Sequence, residues 1–185
     1  MLSITWKLGA AALALGVNMV TAQPEYVGRV PCPSNSSLLG YTNTTLLNDD
    51  IVADMKWVFD GGEEPEFYQY VLCPQTEFIV AKQIGEQEAV GESPIIPGLA
   101  NSFFTCGEDG NSENNCVITG GDFHFYFPDF VIAEEVYIMG VTFTNVNGAS
   151  VYGDAHPASH VVFLDCHWKV RNTRTNSLSS RARKI

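Results

Sequence analysis

The sequence predicts an all-β fold: a coiled stack of about three to four rungs, each made of short strands joined at a bend, closed at its N-terminal end by an amphipathic helix. Three observations predict it. The first is a pattern that occurs twice within residues 136–170 (VYIMGVTFTNVNGASVYGDAHPASHVVFLDCHWKV). Ile138 aligns on Phe163, Val136 on Val161, Gly140 on Asp165, Val141 on Cys166 and Phe143 on Trp168. A third copy lies upstream in NCVITGGDFHF, with Cys116, Ile118, Gly120, Gly121 and Phe123 at the same offsets. Self-similarity of this length is the signature of a stacked architecture.

The second observation is the alternation within a copy. Val136 and Ile138 point one way and Tyr137 and Met139 the other, the period of a strand. At Gly140 the phase slips by one residue, and Val141 and Phe143 continue the buried face. A strand, a one-residue bend and a second strand describe a corner, and glycine tolerates the dihedrals a corner needs. The third observation is that like falls over like. The inward sets are Cys116/Val136/Val161, Ile118/Ile138/Phe163, Gly121/Val141/Cys166 and Phe123/Phe143/Trp168. Strands stacked about 4.8 Å apart require such matching. The competing architecture is a β-sandwich or jelly roll with fortuitous similarity between strands.

Taken in order, residues 1–22 predict a secretory signal. Lys7 precedes an apolar run over 8–20, and small residues at 20–22 place cleavage before Gln23. The run is shorter than the ~20 residues that span a bilayer. Residues 23–43 read as an irregular arm rich in Pro, Ser and Asn, with N-glycosylation sequons at Asn35 and Asn43. Leu47, Ile51, Met55 and Phe59 fall four apart, with Asn48 as N-cap and Gly61 and Gly62 as the stop. That predicts a helix of about three turns capping the first rung of a domain over 44–170. Residues 67–80 read as two short strands broken at Pro74, residues 81–100 as a loop, and Ser102–Cys106 as a further strand. The aromatic run over 123–130 must turn either His124 and Tyr126 or their neighbours outward. The tail, 171–185, is basic, lacks aromatics and acids, and reads as disordered. It stands where another rung should begin, so the chain reads as incomplete at its C-terminus.

Charge and cysteines bound the setting. All 21 acidic residues lie between Glu25 and Asp165, where only Arg29, Lys56 and Lys82 are basic, and the net charge is −11. Nucleic acid and anionic membranes would repel such a body. The five cysteines suit an oxidising compartment. Cys106 and Cys116 bracket a polar turn-forming loop, and Cys32 and Cys73 are each flanked by proline, which predicts the pairs Cys106–Cys116 and Cys32–Cys73. Cys166 is left as an inward-facing thiol.

Ile138-x-Gly140-x-x-Phe143, followed by Asn145 and by GASVYGDA over 148–155, resembles the rungs of the right-handed parallel β-helix, pectin-lyase-like superfamily. It looks most like secreted microalgal β-helix proteins of unknown role. The resemblance covers roughly residues 70–170 and implies the fold; activity does not follow from it, because such folds host lyases, glycosidases, adhesins and structural proteins. Two functions follow as expectations. One is a secreted, non-catalytic β-helix protein that binds polysaccharide or cell-wall glycan, or forms part of a cell-surface matrix. The other is a polysaccharide lyase or glycoside hydrolase whose catalytic rungs are partly missing. Asp154, His156, Asp165 and His167 form the one cluster suited to acid–base work, although their spacing does not place a carboxyl and its partner on one substrate. Asp109, Asn111 and Glu113 offer calcium oxygen ligands at alternate positions. Asn114 and Gly120 stand where an EF-hand needs glycine and glutamate, so that motif is absent, and turn formation is the commoner use of these residues. No other cofactor is expected, since zinc-ligand spacing, a nucleotide-binding glycine loop and a nucleophile elbow are missing from the sequence.

Overall fold

The computed structural model describes residues 26–80, 93–127, 135–153 and 160–169. The predicted signal (1–22), residues 81–92 of the loop expected over 81–100, and the basic tail (171–185) lie outside them. The described chain is mainly β, with parallel sheets and one long helix. A hairpin of β1 (Val30–Cys32) and β2 (Asn35–Gly40) leads into α1 (Thr44–Phe59). Ten further strands follow: β3 (Tyr68–Leu72), β4 (Glu77–Val80), β5 (Ser102–Cys106), β6 (Cys116–Gly120), β7 (Phe123–Phe127), β8 (Glu135–Met139), β9 (Val141–Thr144), β10 (Ala149–Gly153), β11 (His160–Leu164) and β12 (His167–Lys169).

These ten strands build three parallel sheets, ordered β11-β8-β5-β3, β12-β9-β6-β4 and β10-β7. The chain visits them in the same sequence on each pass: β5, β6, β7, then β8, β9, β10. The pass through β3 and β4 ends at Ile95, which bridges in parallel to Phe125. Its amide donates to the His124 carbonyl (2.9 Å) and its carbonyl accepts from the Tyr126 amide (2.9 Å). Each passage from the first sheet to the second includes a residue of positive φ: Gln75 (58°), Asn115 (56°), Gly140 (72°) and Asp165 (51°). Left-handed backbone is open to glycine and tolerated by Asn and Asp, which explains how Asp165 stands in for Gly140.

The inward side chains form two columns. Tyr70, Phe104, Ile138 and Phe163 are in register on the first sheet; Phe78, Ile118, Phe143 and Trp168 are in register on the second. The two downstream copies therefore align as expected from sequence. The upstream copy does not. Ile118 pairs with Phe143 instead of Ile138, and Phe123 pairs with Ala149 on the third sheet. The cause is an insertion. Three passes turn this corner in one to four residues, but between β5 and β6 the chain spends 107–115 on a loop closed by the Cys106–Cys116 disulfide (Cα–Cα 5.6 Å). That loop breaks the repeat length without breaking the register. It lies on the neighbouring corners: a Cβ on Gly140 would come within 2.7 Å of the Gly110 carbonyl carbon, and the Ser112 amide donates to Asp165 Oδ2 (2.8 Å).

The helix begins at Thr44, earlier than the spacing of its apolar residues suggested, because Asn43 is the N-cap: its side chain accepts from the Leu46 amide (2.9 Å). Asn48 instead clamps the 94–96 segment, donating to the Pro94 carbonyl (2.9 Å) and accepting from the Ile96 amide (3.0 Å). Leu47 and Ile51 are buried, Met55 packs partly against the core, and Phe59 is exposed, so the apolar stripe leaves the core at the last turn. Gly61 (φ 84°) ends the helix as expected. Between Leu47 and Met55 the helix buries two carboxylates, and burying a charge is costly unless it is hydrogen-bonded. Asp50 accepts from the Gly28 amide (3.2 and 3.1 Å to its two oxygens) and from the Tyr41 hydroxyl (3.0 Å), and Asp54 accepts from the Tyr70 hydroxyl (2.9 Å). Arg29 lies over the Tyr26 ring (4.0 Å) and donates to the Tyr41 hydroxyl (3.3 Å) and the Gln69 carbonyl (2.9 Å). The arm is thus a structured strap in place of the expected irregular segment. It is fastened by this network and by the Cys32–Cys73 disulfide (Cα–Cα 5.2 Å). Two disulfides suit an oxidising compartment, and among the described residues no helix is long and apolar enough to cross a membrane.

Candidate functional site

Strand geometry sends alternate residues of the first sheet outward. Phe103 and Tyr137 occupy neighbouring outward positions, paired by register, and their rings stack at 4.6 Å with planes 5° apart. Phe67, which precedes β3 and is 52% exposed, meets Phe103 edge-on at 5.8 Å. The Tyr137 hydroxyl donates to Glu135 (2.8 Å), and this bond raises the phenol above its ordinary pKa. The three rings make an external aromatic ladder.

A cleft of about 590 Å³ opens at its foot. It forms because α1 ends at Phe59 while the chain doubles back through 60–67, leaving a gap against residues 98–101. Gly98 sits against the Met55 side chain, which a Cβ at that position would displace. Met55, Val58 and Leu99 supply apolar lining, and Glu64, Glu66 and Asn101 supply polar groups. Glu66 directly precedes Phe67, Asn101 lies two residues before Phe103, and the Asn101 carbonyl accepts from the Tyr68 amide (3.0 Å), so part of the cleft lining adjoins the strands that carry the ladder. This arrangement offers the edges of stacked rings and the half-exposed Phe67 near carboxylates and an amide. It presents no nucleophile–base pair.

A second group of rings lies on the third sheet, where Phe123, Tyr126 and Tyr152 are mutually close to parallel. Of the two alternatives for this strand, neither set turns wholly outward: His124 is fully buried against Phe143 (5.4 Å), with Nε2 3.1 Å from the Thr144 carbonyl, and Phe125 and Phe127 are buried as well. Burial lowers its pKa to about 4.

The residues singled out for acid–base chemistry are not assembled by the described structure. Asp154 and His156 lie outside the described residues. Asp165 and His167 are exposed, and Asp165 is the corner residue that accepts from Ser112, whose hydrogen bonds hold its carboxyl below the ordinary range. Of the calcium candidates, Asp109 Oδ1 accepts from the Asn111 amide (3.2 Å) and the Asn114 side chain (2.6 Å), and Asn111 Oδ1 accepts from the Glu113 amide (2.9 Å). They shape the loop and the 3-10 turn Ser112–Asn114. Among the described residues no three His, Cys, Asp or Glu side chains gather as a metal site. Of the sequon residues, Asn35 is exposed and Asn43 is the half-buried helix cap. Cys166 is half-buried with its thiol donating to the Ile138 carbonyl (3.3 Å), and burial raises its pKa, away from nucleophilic character.

The ladder escaped sequence reading because Phe67, Phe103 and Tyr137 sit in passes of unequal length. The one available signal was the outward parity of Tyr137 in the middle copy. Comparison of the chain with family models, with curated proteins and with solved structures returns no match.

Proposed function

We propose that the protein is a secreted, non-catalytic glycan-binding component of a cell surface or matrix. Its three sheets are read as the walls of a short right-handed parallel β-helix, in keeping with the right-handed rule for parallel crossovers. The glycan lies in the cleft between α1 and residues 98–101 and runs out along Phe67, Phe103 and Tyr137. The observation that carries this reading is the aromatic ladder on the outer face of the first sheet, with the lining of the cleft on the same strands' N-terminal side. Aromatic faces and edges pack against the C–H faces of pyranose rings, while Glu64, Glu66 and Asn101 hydrogen-bond hydroxyls. The acidic body disfavours polyanionic chains, so a neutral glycan is the class that fits. Binding is preferred to catalysis because the described polar groups nearest to a catalytic set, Asp165 and His167, belong to a corner and an exposed strand end.

The test is titration calorimetry against a panel of neutral and anionic polysaccharides, with the Phe103→Ala/Tyr137→Ala variant in parallel. The expected result is binding to a neutral glycan, weakened about tenfold or more in the variant, for a loss near 1.4 kcal/mol. Failure of every glycan to bind, or equal binding by the variant, overturns the reading. Release of new reducing ends or unsaturated products overturns its non-catalytic part.

A further inference from the structure

We infer that Asn35 carries an N-linked glycan whose first sugar, an N-acetylhexosamine, lies in the cleft beside it and ties the N-terminal strap to the loop over 107–115. This rests on the secreted part of the proposed function and is independent of the cleft at α1. Asn35 opens β2 within the acceptor sequence Asn35-Ser36-Ser37 and is exposed. Its side chain accepts from the Ser37 amide (3.2 Å) and the Ser37 hydroxyl (2.7 Å). A backbone N–H can meet only the oxygen of that side chain, so Oδ1 is turned back onto the sequon. Nδ2, the atom that takes the sugar, donates to nothing among the described residues. Attachment bonds Nδ2 to the anomeric carbon of a lipid-pyrophosphate-linked oligosaccharide of the host secretory pathway; Nδ2 loses one proton and the lipid pyrophosphate leaves.

The cleft that Asn35 lines has a volume of about 350 Å³, near the lower end for ligand sites, which suits one sugar better than a chain. Leu38 and Pro74 give it apolar lining, and Glu108, Asp109 and Asn114 give it polar groups. Its walls are held in place. The Ser34 hydroxyl donates to the Pro74 carbonyl (2.9 Å), the Gln75 amide to the Asn114 carbonyl (2.8 Å) and the Gly107 amide to the Leu72 carbonyl (2.9 Å). Asp109 Oδ1 is occupied by Asn111 and Asn114. Its Oδ2 and the exposed Glu108 carboxylate are left to accept from sugar hydroxyls and the acetamide N–H, while Leu38 and Pro74 take the C–H face. Two carboxylates favour an uncharged sugar rich in donors and repel an acidic one. Cys32–Cys73 fastens the strap to β3 and Cys106–Cys116 closes the loop on itself, so neither disulfide joins strap to loop. The sugar spans that gap.

The experiment expresses the full chain in a eukaryotic secretory host as Asn43→Asp, which keeps the helix cap and leaves Asn35 as the acceptor. Intact mass of the secreted protein is expected to show one glycan, lost in Asn35→Gln. An endoglycosidase then trims the glycan to its first sugar. Scanning calorimetry should find this single-sugar form melting about 3–6 °C above Asn35→Gln, the shift that one or two net hydrogen bonds bring in a chain of this size. With Leu38→Ala/Glu108→Ala added to both forms, the difference should shrink to about 1 °C or less. Should Asn35→Gln misfold, stripping the sugar with an amidase supplies the sugar-free form. Secreted protein with no glycan at Asn35 overturns the inference and leaves secretion standing. A sugar that does not raise Tm, or raises it equally with Leu38→Ala/Glu108→Ala present, overturns its place in the cleft. Protein that stays inside the cells overturns the secreted reading and this inference with it.

Discussion

Replacing Gly140 with alanine tests how the loop over 107–115 is seated. Gly140 has φ 72°, and a Cβ there would come within 2.7 Å of the Gly110 carbonyl carbon and 2.8 Å of the Asn111 carbonyl carbon. These are backbone atoms of a loop closed by a disulfide, so they cannot swing aside as a side chain end would. Left-handed backbone costs an L-residue about 1–2 kcal/mol, and forcing atoms into a packed site adds typically ~1–3 kcal/mol. Gly61 supplies the control, having φ 84° and open space within 4 Å of the point where a Cβ would stand. Gly61→Ala carries the backbone strain without the clash, and the unfolded-state gain of a Gly→Ala change is common to both variants. At ~3 °C per kcal/mol for a chain of this size, Gly61→Ala should lower Tm by about 3–6 °C and Gly140→Ala by about 6–15 °C. Differential scanning calorimetry of the two variants reads the difference directly. Equal shifts would refute the claim that the loop rests on this corner.

Three further outcomes are expected. His124 sits near pKa 4 when folded, against an ordinary value of 6.5, so the unfolded chain takes up a proton that the folded chain refuses. Its contribution is intact above pH 6.5 and declines as pH falls toward 4, by at most about 3 kcal/mol. Asp54, whose pKa burial raises, works in the opposite direction at the acid end, so the comparison is with His124→Gln, whose urea stability should fall less between pH 7 and 4.5 than wild type's. The disulfides close loops with sequence separations of 41 and 10, worth roughly 4 and 3 kcal/mol by loop entropy. Cys32→Ser/Cys73→Ser should therefore lower the denaturation midpoint more than Cys106→Ser/Cys116→Ser; the reverse order would show that the loop's packing outweighs its closure. Asn43→Ala should cost about 1 kcal/mol of stability through loss of the helix cap, whereas Asn43→Asp should retain it. Both remove the sequon, so intact-mass measurement on protein from a eukaryotic host separates glycan loss from cap loss.

What was legible in the sequence was local and periodic. The alternation over 136–139, the slip at Gly140 and the match of Phe143 with Trp168 depend on neighbours within one pass or on two passes of equal length, and the register follows them. Cysteines bracketing a polar loop likewise carried their pairing in plain spacing. The upstream copy failed because self-similarity assumes constant pass length, and the 107–115 insertion makes a shifted alignment look better than the true one. The helix start failed because Asn48 and Asn43 are equally good caps in isolation. Only the 94–96 segment, remote in sequence, claims Asn48. The aromatic ladder was hidden for the same reason as the register: Phe103 meets Tyr137 across passes whose alignment the sequence misplaced. Nothing within the helix marks Asp50 and Asp54 as buried, because the groups that hydrogen-bond them, Gly28, Tyr41 and Tyr70, come from outside it.

The loop between β5 and β6 also changes how the strand array opens. In a simple stack each layer touches only the next, and the outermost layer can fray while the rest persists. Here the loop from one layer packs on the Gly140 corner of the next and donates from Ser112 to Asp165 in the one beyond. That contact skips a layer. It ties the outer pair, β11 and β12, to the interior through the same covalently closed loop that braces the middle, so detaching the pair must also disturb a loop two layers away. Amide protons of 160–169 should then exchange faster once the Ser112–Asp165 bond is removed, because nearest-neighbour contacts alone would let the outer pair peel more readily.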